Sequence, residues 1–155
     1  MATKTILIAM DGSEHSDRAL EWYASNLKTP QDQLVFVTVV EPKVARGSSL
    51  TAADAPKHVS EQVGNAVRVS QDVQQRTEAK CRSLGLPSDG IRFVEKISST
   101  PGAAIVDAAN DVEADLVVMG NRGLGTLRRT FLGSVSDYVL HHAHRPVAVI
   151  PPRKS

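Results

Sequence analysis

Apolar residues occur along the chain in two rhythms. Four nearly unbroken runs, Thr5–Ala9, Gln33–Val40, Asp115–Met119 and Val147–Ile150, are rich in Val, Ile and Leu. Continuous runs of that kind predict strands covered on both faces, as in a parallel sheet. A fifth stretch, Gly90–Ile97, alternates in part and carries charges, which predicts a strand at a sheet edge. Between the runs, apolar positions recur every three or four residues, the period of an amphipathic helix. Ala19, Leu20, Tyr23, Ala24 and Leu27 form the first such stripe. A long, polar-rich helix is predicted from Val59 to Leu84, with Val63, Ala66, Val67, Val73 and Ala79 as its core contacts. Ala104, Ile105, Ala108 and Ala109 make a third stripe, and Val135–Leu140 a short fourth helix.

Turn chemistry sets the boundaries. Ser13 can cap the first helix, Gly85 and Pro87 end the long one, and Pro101 stands in the first turn of the third. The order β-α-β-α-β-α-β-α-β predicts one α/β domain over residues 1–155, with parallel strands and right-handed crossovers. Ligands of open parallel sheets sit beyond the carboxyl ends of strands, where the strand order reverses. Two strand ends carry glycine-bearing polar punctuation, Asp11-Gly12-Ser13 and Gly120-Asn121-Arg122-Gly123, and they are expected to be neighbours there.

The second of these leads to a helix that begins at Gly133-Ser134. Free N–H groups at a helix start, with the macrodipole behind them, favour an anion. From Leu116 to Ser136 there is no acidic residue, while Arg122, Arg128 and Arg129 are present. The stretch from Pro42 to Lys57 is the longest without a period, and it follows the end of the second predicted strand. Loops of such length are commonly functional or mobile. It reads either as a segment that orders over a ligand or as an insertion without consequence.

Composition adds limits. A chain of 155 residues with 41% apolar and 23% charged residues fits an ordinary globular domain. A net charge of +1 argues against a surface built to grip nucleic acid or an anionic membrane. The single cysteine, Cys81, cannot close an intrachain disulfide, and the first residues lack the apolar core of a signal peptide. No run approaches the length of a membrane span. A cytoplasmic protein is the expectation.

Several motifs are excluded. No Gly-x4-Gly-Lys-[Ser/Thr] occurs, so the lysine of P-loop hydrolases is missing. Gly123-Leu-Gly125 lacks the third glycine of a dinucleotide fingerprint, since Arg128 stands there. Gly133-Ser134-Val-Ser-Asp137 fails the nucleophile elbow at its last position. His141, His142 and His144 have no Cys, Asp or Glu close enough in sequence to complete a coordination shell, and they suit a helix C-terminus. No catalytic residues and no metal ligands are assigned.

Gly120, Gly123, Gly133 and Ser134 match the spacing Gly-x2-Gly-x9-Gly-[Ser/Thr] and continue into Val135. With Asp11-Gly12-Ser13 after the first strand, Val39-Val40-Glu41-Pro42 after the second and the closing Pro146–Ile150, the chain resembles the universal stress protein family, in its ATP-binding subclass, over nearly its full length. The resemblance implies an open five-stranded parallel sheet of order 3-2-1-4-5 with helices on both faces, Rossmann-like and akin to the adenine-nucleotide α-hydrolases. It implies ATP, with Mg2+ to neutralise the phosphates, and a homodimer joined along the C-terminal strand. It further implies that Ala9, Met10 and Asp11 lie at the adenosine, that Val39 meets adenine through its backbone, and that Met119 and Gly120 touch ribose and base. Gly123, Gly133, Ser134 and Val135 would hold the phosphates. The function so implied is that of a stress-response sensor or regulator, with a slow ATPase or nucleotidyl transferase, or a dimeric module without nucleotide, as alternatives. Read from the residues alone, Asp11-Gly12-Ser13 is equally a turn and helix cap, and Ser134 with Asp137 equally a capping box. Asp11 could accept from a ribose hydroxyl or from the adenine amino group.

Overall fold

The apolar runs form strands and the periodic stretches form helices. A computed structural model describes residues 3–42, 55–122 and 133–153. Its elements follow as β1 (Lys4–Ala9), α1 (Glu14–Asn26), β2 (Asp32–Val40), α2 (Ala55–Ser83), β3 (Arg92–Ile97), α3 (Pro101–Asp111), β4 (Leu116–Gly120), α4 (Ser134–His142) and β5 (Val147–Ile150). The five strands are parallel in the order β3-β2-β1-β4-β5, so the strand order reverses between β1 and β4. β1 is paired on both sides, with Ile6, Leu7 and Ile8 bonded across to β2 and to β4.

Alternation along the strands divides the core between the two faces of the sheet. Ile6, Ile8, Leu34 and Phe36 pack with Leu20, Tyr23, Val73 and Cys81 of α1 and α2. Leu7, Val35, Val37 and Val117 pack with Ile105, Ala108, Ala109 and Val139 of α3 and α4. Helices α3 and α4 approach closely because residue 102 is glycine. A β-carbon there would lie 2.8 Å from the Tyr138 ring.

Helix α2 departs from expectation in two ways. It begins at Ala55 rather than Val59, so part of the stretch read as a loop is helical, and residues 43–54 lie outside the described residues. Its buried stripe is Ala66, Ser70, Val73, Thr77 and Cys81, while Val63 and Ala79 are exposed. Small hydroxyl residues take up two core positions, which a count of apolar residues alone passes over. Burial pushes the Cys81 thiol up to about 11, with Glu78 acting in the same direction, so it has no reactive thiolate character. The histidines that end α4 have local partners. His141 lies 3.4 Å from the Asp137 carboxylate, and His142 stacks on Tyr138.

The turn between α1 and β2 is closed by Asp32. Its carboxylate accepts from the Tyr23 hydroxyl, from the Thr29 N–H at 2.9 Å and from the Thr29 hydroxyl at 2.7 Å. Burial works to raise the Asp32 pKa, but the hydrogen bonds from Tyr23 and Thr29 outweigh it and hold the group below its ordinary 3.8. A depressed carboxylate stabilises the fold above its unfolded pKa, and that contribution disappears as the pH falls through its folded value. Tyr23→Phe should therefore cost about 1 kcal/mol in urea unfolding at pH 7. The difference from wild type should shrink below the ordinary carboxylate range, and a difference constant from pH 7 to pH 3 would contradict the coupling.

Candidate functional site

At the carboxyl ends of β1, β2 and β4 lies a cavity of about 480 Å3. β1 contributes Ala9, Met10 and Asp11, and β2 contributes Val37 to Val40 with Glu41 beyond it. β4 contributes Met119 and Gly120, followed by Asn121 and Arg122. The start of α4 closes one side with Gly133, Ser134, Val135 and Ser136, while α2 and α3 add Val69, Val73, Pro101 and Ile105. The candidates Ala9, Met10, Asp11, Val39, Met119, Gly120, Gly133, Ser134 and Val135 thus meet around one space. Gly123, Arg128 and Arg129 lie outside the described residues.

Two turns shape this space. After β1, Asp11 Oδ1 accepts from the Ser13 N–H at 2.9 Å and from the Ser13 hydroxyl at 2.5 Å. The same Ser13 caps α1 by accepting from the Ser16 N–H at 3.2 Å. Asp11 is therefore at once a turn residue and part of the cavity wall, and the turn-and-cap reading of the sequence holds. Gly12 adopts φ +83 and sits against α2, where an added β-carbon would be 3.3 Å from Val73 Cγ2. That combination favours glycine twice, through conformation and through space.

After β4, the Gly133 N–H donates to the Asn121 carbonyl at 2.7 Å. The buried Ser136 hydroxyl lies 3.0 Å from the Gly133 carbonyl and 3.3 Å from the same Asn121 carbonyl. The start of α4 is thus tied to the end of β4. A β-carbon at Gly133 would lie 2.5 Å from the Asn121 oxygen, and one at Gly120 would lie 2.8 Å from the His15 carbonyl. Both glycines are set by backbone packing within the protein.

The start of α4 is available to an anion. Gly133 is the N-cap residue, and no side chain caps the helix. Ser134 is the first helical residue and is exposed, while the Asp137 carboxylate faces His141. A Ser134–Asp137 capping box is therefore not formed. Among the described residues no side chain caps this start, which leaves backbone N–H groups open to a further partner. α3 begins at the cavity as well, with Pro101 in its first turn and no side-chain cap from Thr100. Among the described residues, no group of three or more His, Cys, Asp or Glu gathers as a metal site.

No sequence pattern assigned Thr38, Val69, Pro101 or Ile105 to the site, yet they also line the cavity. One signal was present for Val69. It lies off the buried stripe of α2 and is 51% exposed, an apolar residue with no core to enter.

The universal stress protein family profile matches residues 2–151 of the chain. A universal stress protein of Thermus aquaticus is 31% identical over 149 residues, covering 95% of this chain and 98% of the relative. One from Mycolicibacterium smegmatis is 32% identical and covers 94% of this chain, which spans about half (47%) of that longer relative. Among solved structures, a universal stress protein from Lactobacillus plantarum superposes with a TM-score of 0.72 at 24% identity, covering 97% of this chain and 99% of the other. A universal stress protein described in complex with cAMP superposes at 0.62 with 25% identity, covering 97% and 98% of the two chains.

The packing contacts yield a paired prediction. Gly120→Ala forces a β-carbon onto backbone and should lower unfolding free energy by about 1–3 kcal/mol. Gly64→Ala, in α2 with nothing within 4 Å of the added carbon, should raise it by about 0.5–1 kcal/mol. Urea denaturation of the two variants beside wild type checks both signs.

Proposed function

The chain belongs to the universal stress protein family, and from that premise we propose that it binds ATP at the switch-point cavity and works as a dimeric sensor or regulator of a stress response. The observation that carries the reading is the uncapped start of α4 at Gly133-Ser134, opening onto the same cavity as Asp11, Val39, Met119 and Gly120. Phosphate oxygens would accept from the N–H groups there and from the Ser134 hydroxyl, which are charge-assisted bonds. Arg122 lines the same end and raises the local potential. A relative of this fold, 25% identical, is described in complex with cAMP, which supports an adenine nucleotide as the ligand class.

Mg2+ fits this reading as an ion carried by the phosphates. The described residues supply no cluster of ligands for it, and ions of this kind commonly keep water and substrate oxygens as their shell. The homodimer is proposed through β5, an edge strand of four residues whose Val147, Ala148 and Val149 are only partly buried. Cytoplasmic residence belongs to the same reading, with Cys81 a free, buried thiol. The enzyme alternative needs a group to activate water beside the phosphates. Asp11 and Glu41 are the carboxylates of the cavity wall, and one Asp11 oxygen already serves Ser13. Slow turnover is the most that this arrangement supports.

Ser134→Ala tests the phosphate assignment cleanly, because Ser134 is exposed and makes no capping bond. Calorimetric titration should show ATP affinity reduced about tenfold with an unchanged melting temperature, the loss of one hydrogen bond to a charged group. Unchanged affinity would remove Ser134 from the site, and no ATP binding by wild type would remove the whole reading. Incubation with labelled ATP should return nearly all label as ATP over hours, and multiple turnovers per minute would favour the enzyme.

A further inference from the structure

The end of β2 reads Val37-Thr38-Val39-Val40, a single hydroxyl among branched apolar side chains. Thr38 is 6% exposed and lines the cavity. Alternation along β2 sets it on the Phe36 face of the sheet, toward α2, where Val69 and Val73 stand across the cavity. Among the described residues its hydroxyl makes no hydrogen bond. The hydroxyl is not an enclosed atom, so water or a ligand in the cavity can meet it. The cavity is the direction from which a partner can come.

The cavity also has a polarity of its own. Its β4 end holds the start of α4, Asn121 and Arg122, and its β2 end holds Val39, Val40, Val69 and Val73. The two ends are separated by β1, a distance of about 10 Å across two inter-strand steps. A nucleotide with phosphates on α4 therefore lays its base over the β2 end, where branched side chains suit the flat faces of a ring. We propose that Thr38 reads the polar edge of that base and is a specificity-determining residue of the site. The inference rests on the nucleotide reading above and adds which residue selects the base. A threonine hydroxyl can donate to a ring nitrogen or accept from an exocyclic amino group. The other polar groups nearby are less suited, since Glu41 is exposed at the rim and Asp11 Oδ1 is engaged by Ser13. A site that hydrogen-bonds a substrate group rejects analogues lacking it far more strongly than an apolar pocket does.

Thr38→Val removes the hydroxyl at constant shape, and Thr38→Ser keeps it. Calorimetry with ATP should show Thr38→Val weakened about tenfold and Thr38→Ser within about threefold of wild type. Wild type should prefer ATP over purine ribonucleoside triphosphate, which lacks the amino group, or over 7-deaza-ATP, which lacks one ring nitrogen, and Thr38→Val should lose that preference. The melting temperature of unliganded Thr38→Val should equal or exceed that of wild type. A fall of several degrees would make Thr38 a structural residue and overturn the proposal. Equal ATP affinity in Thr38→Val beside a weakened Ser134→Ala would overturn it while leaving the nucleotide reading intact. Loss of discrimination against 2′-deoxy-ATP instead would assign the hydroxyl to ribose and overturn the base assignment. No binding by wild type to any of these nucleotides would overturn both.

Discussion

The contact on which the site depends is a backbone one, the Gly133 N–H on the Asn121 carbonyl at 2.7 Å. It joins the start of α4 to the end of β4 and fixes where α4 begins. Asn121 is itself held, because its N–H donates to the Ile150 carbonyl at 3.1 Å and so extends the β4–β5 pairing by one step. Ser136 adds a buried hydroxyl to the same carbonyl. The position of the α4 start relative to the sheet is therefore set by three bonds that converge on one residue, Asn121. A side chain at residue 133 would displace the Asn121 carbonyl before it met any ligand. Phosphate-binding loops are often explained by what glycine allows the ligand to do. Here the first requirement is what glycine allows the protein to do to itself.

The sheet makes the second contribution by dividing labour between its faces. α3 and α4 close against each other at Gly102 and Tyr138, and α1 is tied down by its Ser13 cap and by the Arg18 side chain on the Pro151 carbonyl at 2.8 Å. α2 is longer than any other helix and is attached mainly over β2 and β3. At about 1.5 Å per residue, its 29 residues exceed the six-residue strand β3 at about 3.3 Å per residue by roughly 20 Å. Val59 and Val63 near its N-terminal end are exposed, and Val69, beside the buried Ala66 and Ser70, faces the cavity.

Strand identity was legible because buried parallel strands are apolar runs, but the runs alone fit several orders, and the order 3-2-1-4-5 was implied by the family resemblance. That the strand ends carrying Asp11 and Gly120 meet at one cavity was legible from their glycine-bearing polar punctuation, since open sheets bind ligands where the strand order reverses. Less legible was α2. Ser70 and Thr77 occupy core positions that an apolar count assigns elsewhere, and Ala55 begins the helix inside a stretch whose composition resembles a loop. The Ser134–Asp137 spacing suggested a capping box, but Gly133 takes the cap position and shifts Ser134 one step into the helix. A one-residue difference in where a helix starts decides whether a hydroxyl serves the backbone or faces the cavity. Sequence spacing does not resolve that difference, because both registers satisfy the same pattern.

Asp11 shows how position and commitment differ in this site. It lines the cavity, carries the charge that a general base would need, and sits at the end of the central strand. Yet its Oδ1 is the acceptor that shapes the turn and orients Ser13 to cap α1. Withdrawing that oxygen for proton transfer would loosen the cap of the helix packed on β4 and β5. A carboxylate that supports a helix cap is a fixed acceptor, suited to receive a hydrogen bond from a bound hydroxyl or amine and poorly suited to exchange protons. The same holds at the other end, where the groups offered to an anion are N–H donors of a helix start and a serine hydroxyl, none of which titrates near neutral pH. Fixed donors at one end and a fixed acceptor at the other would orient a ligand of the proposed kind without moving its protons.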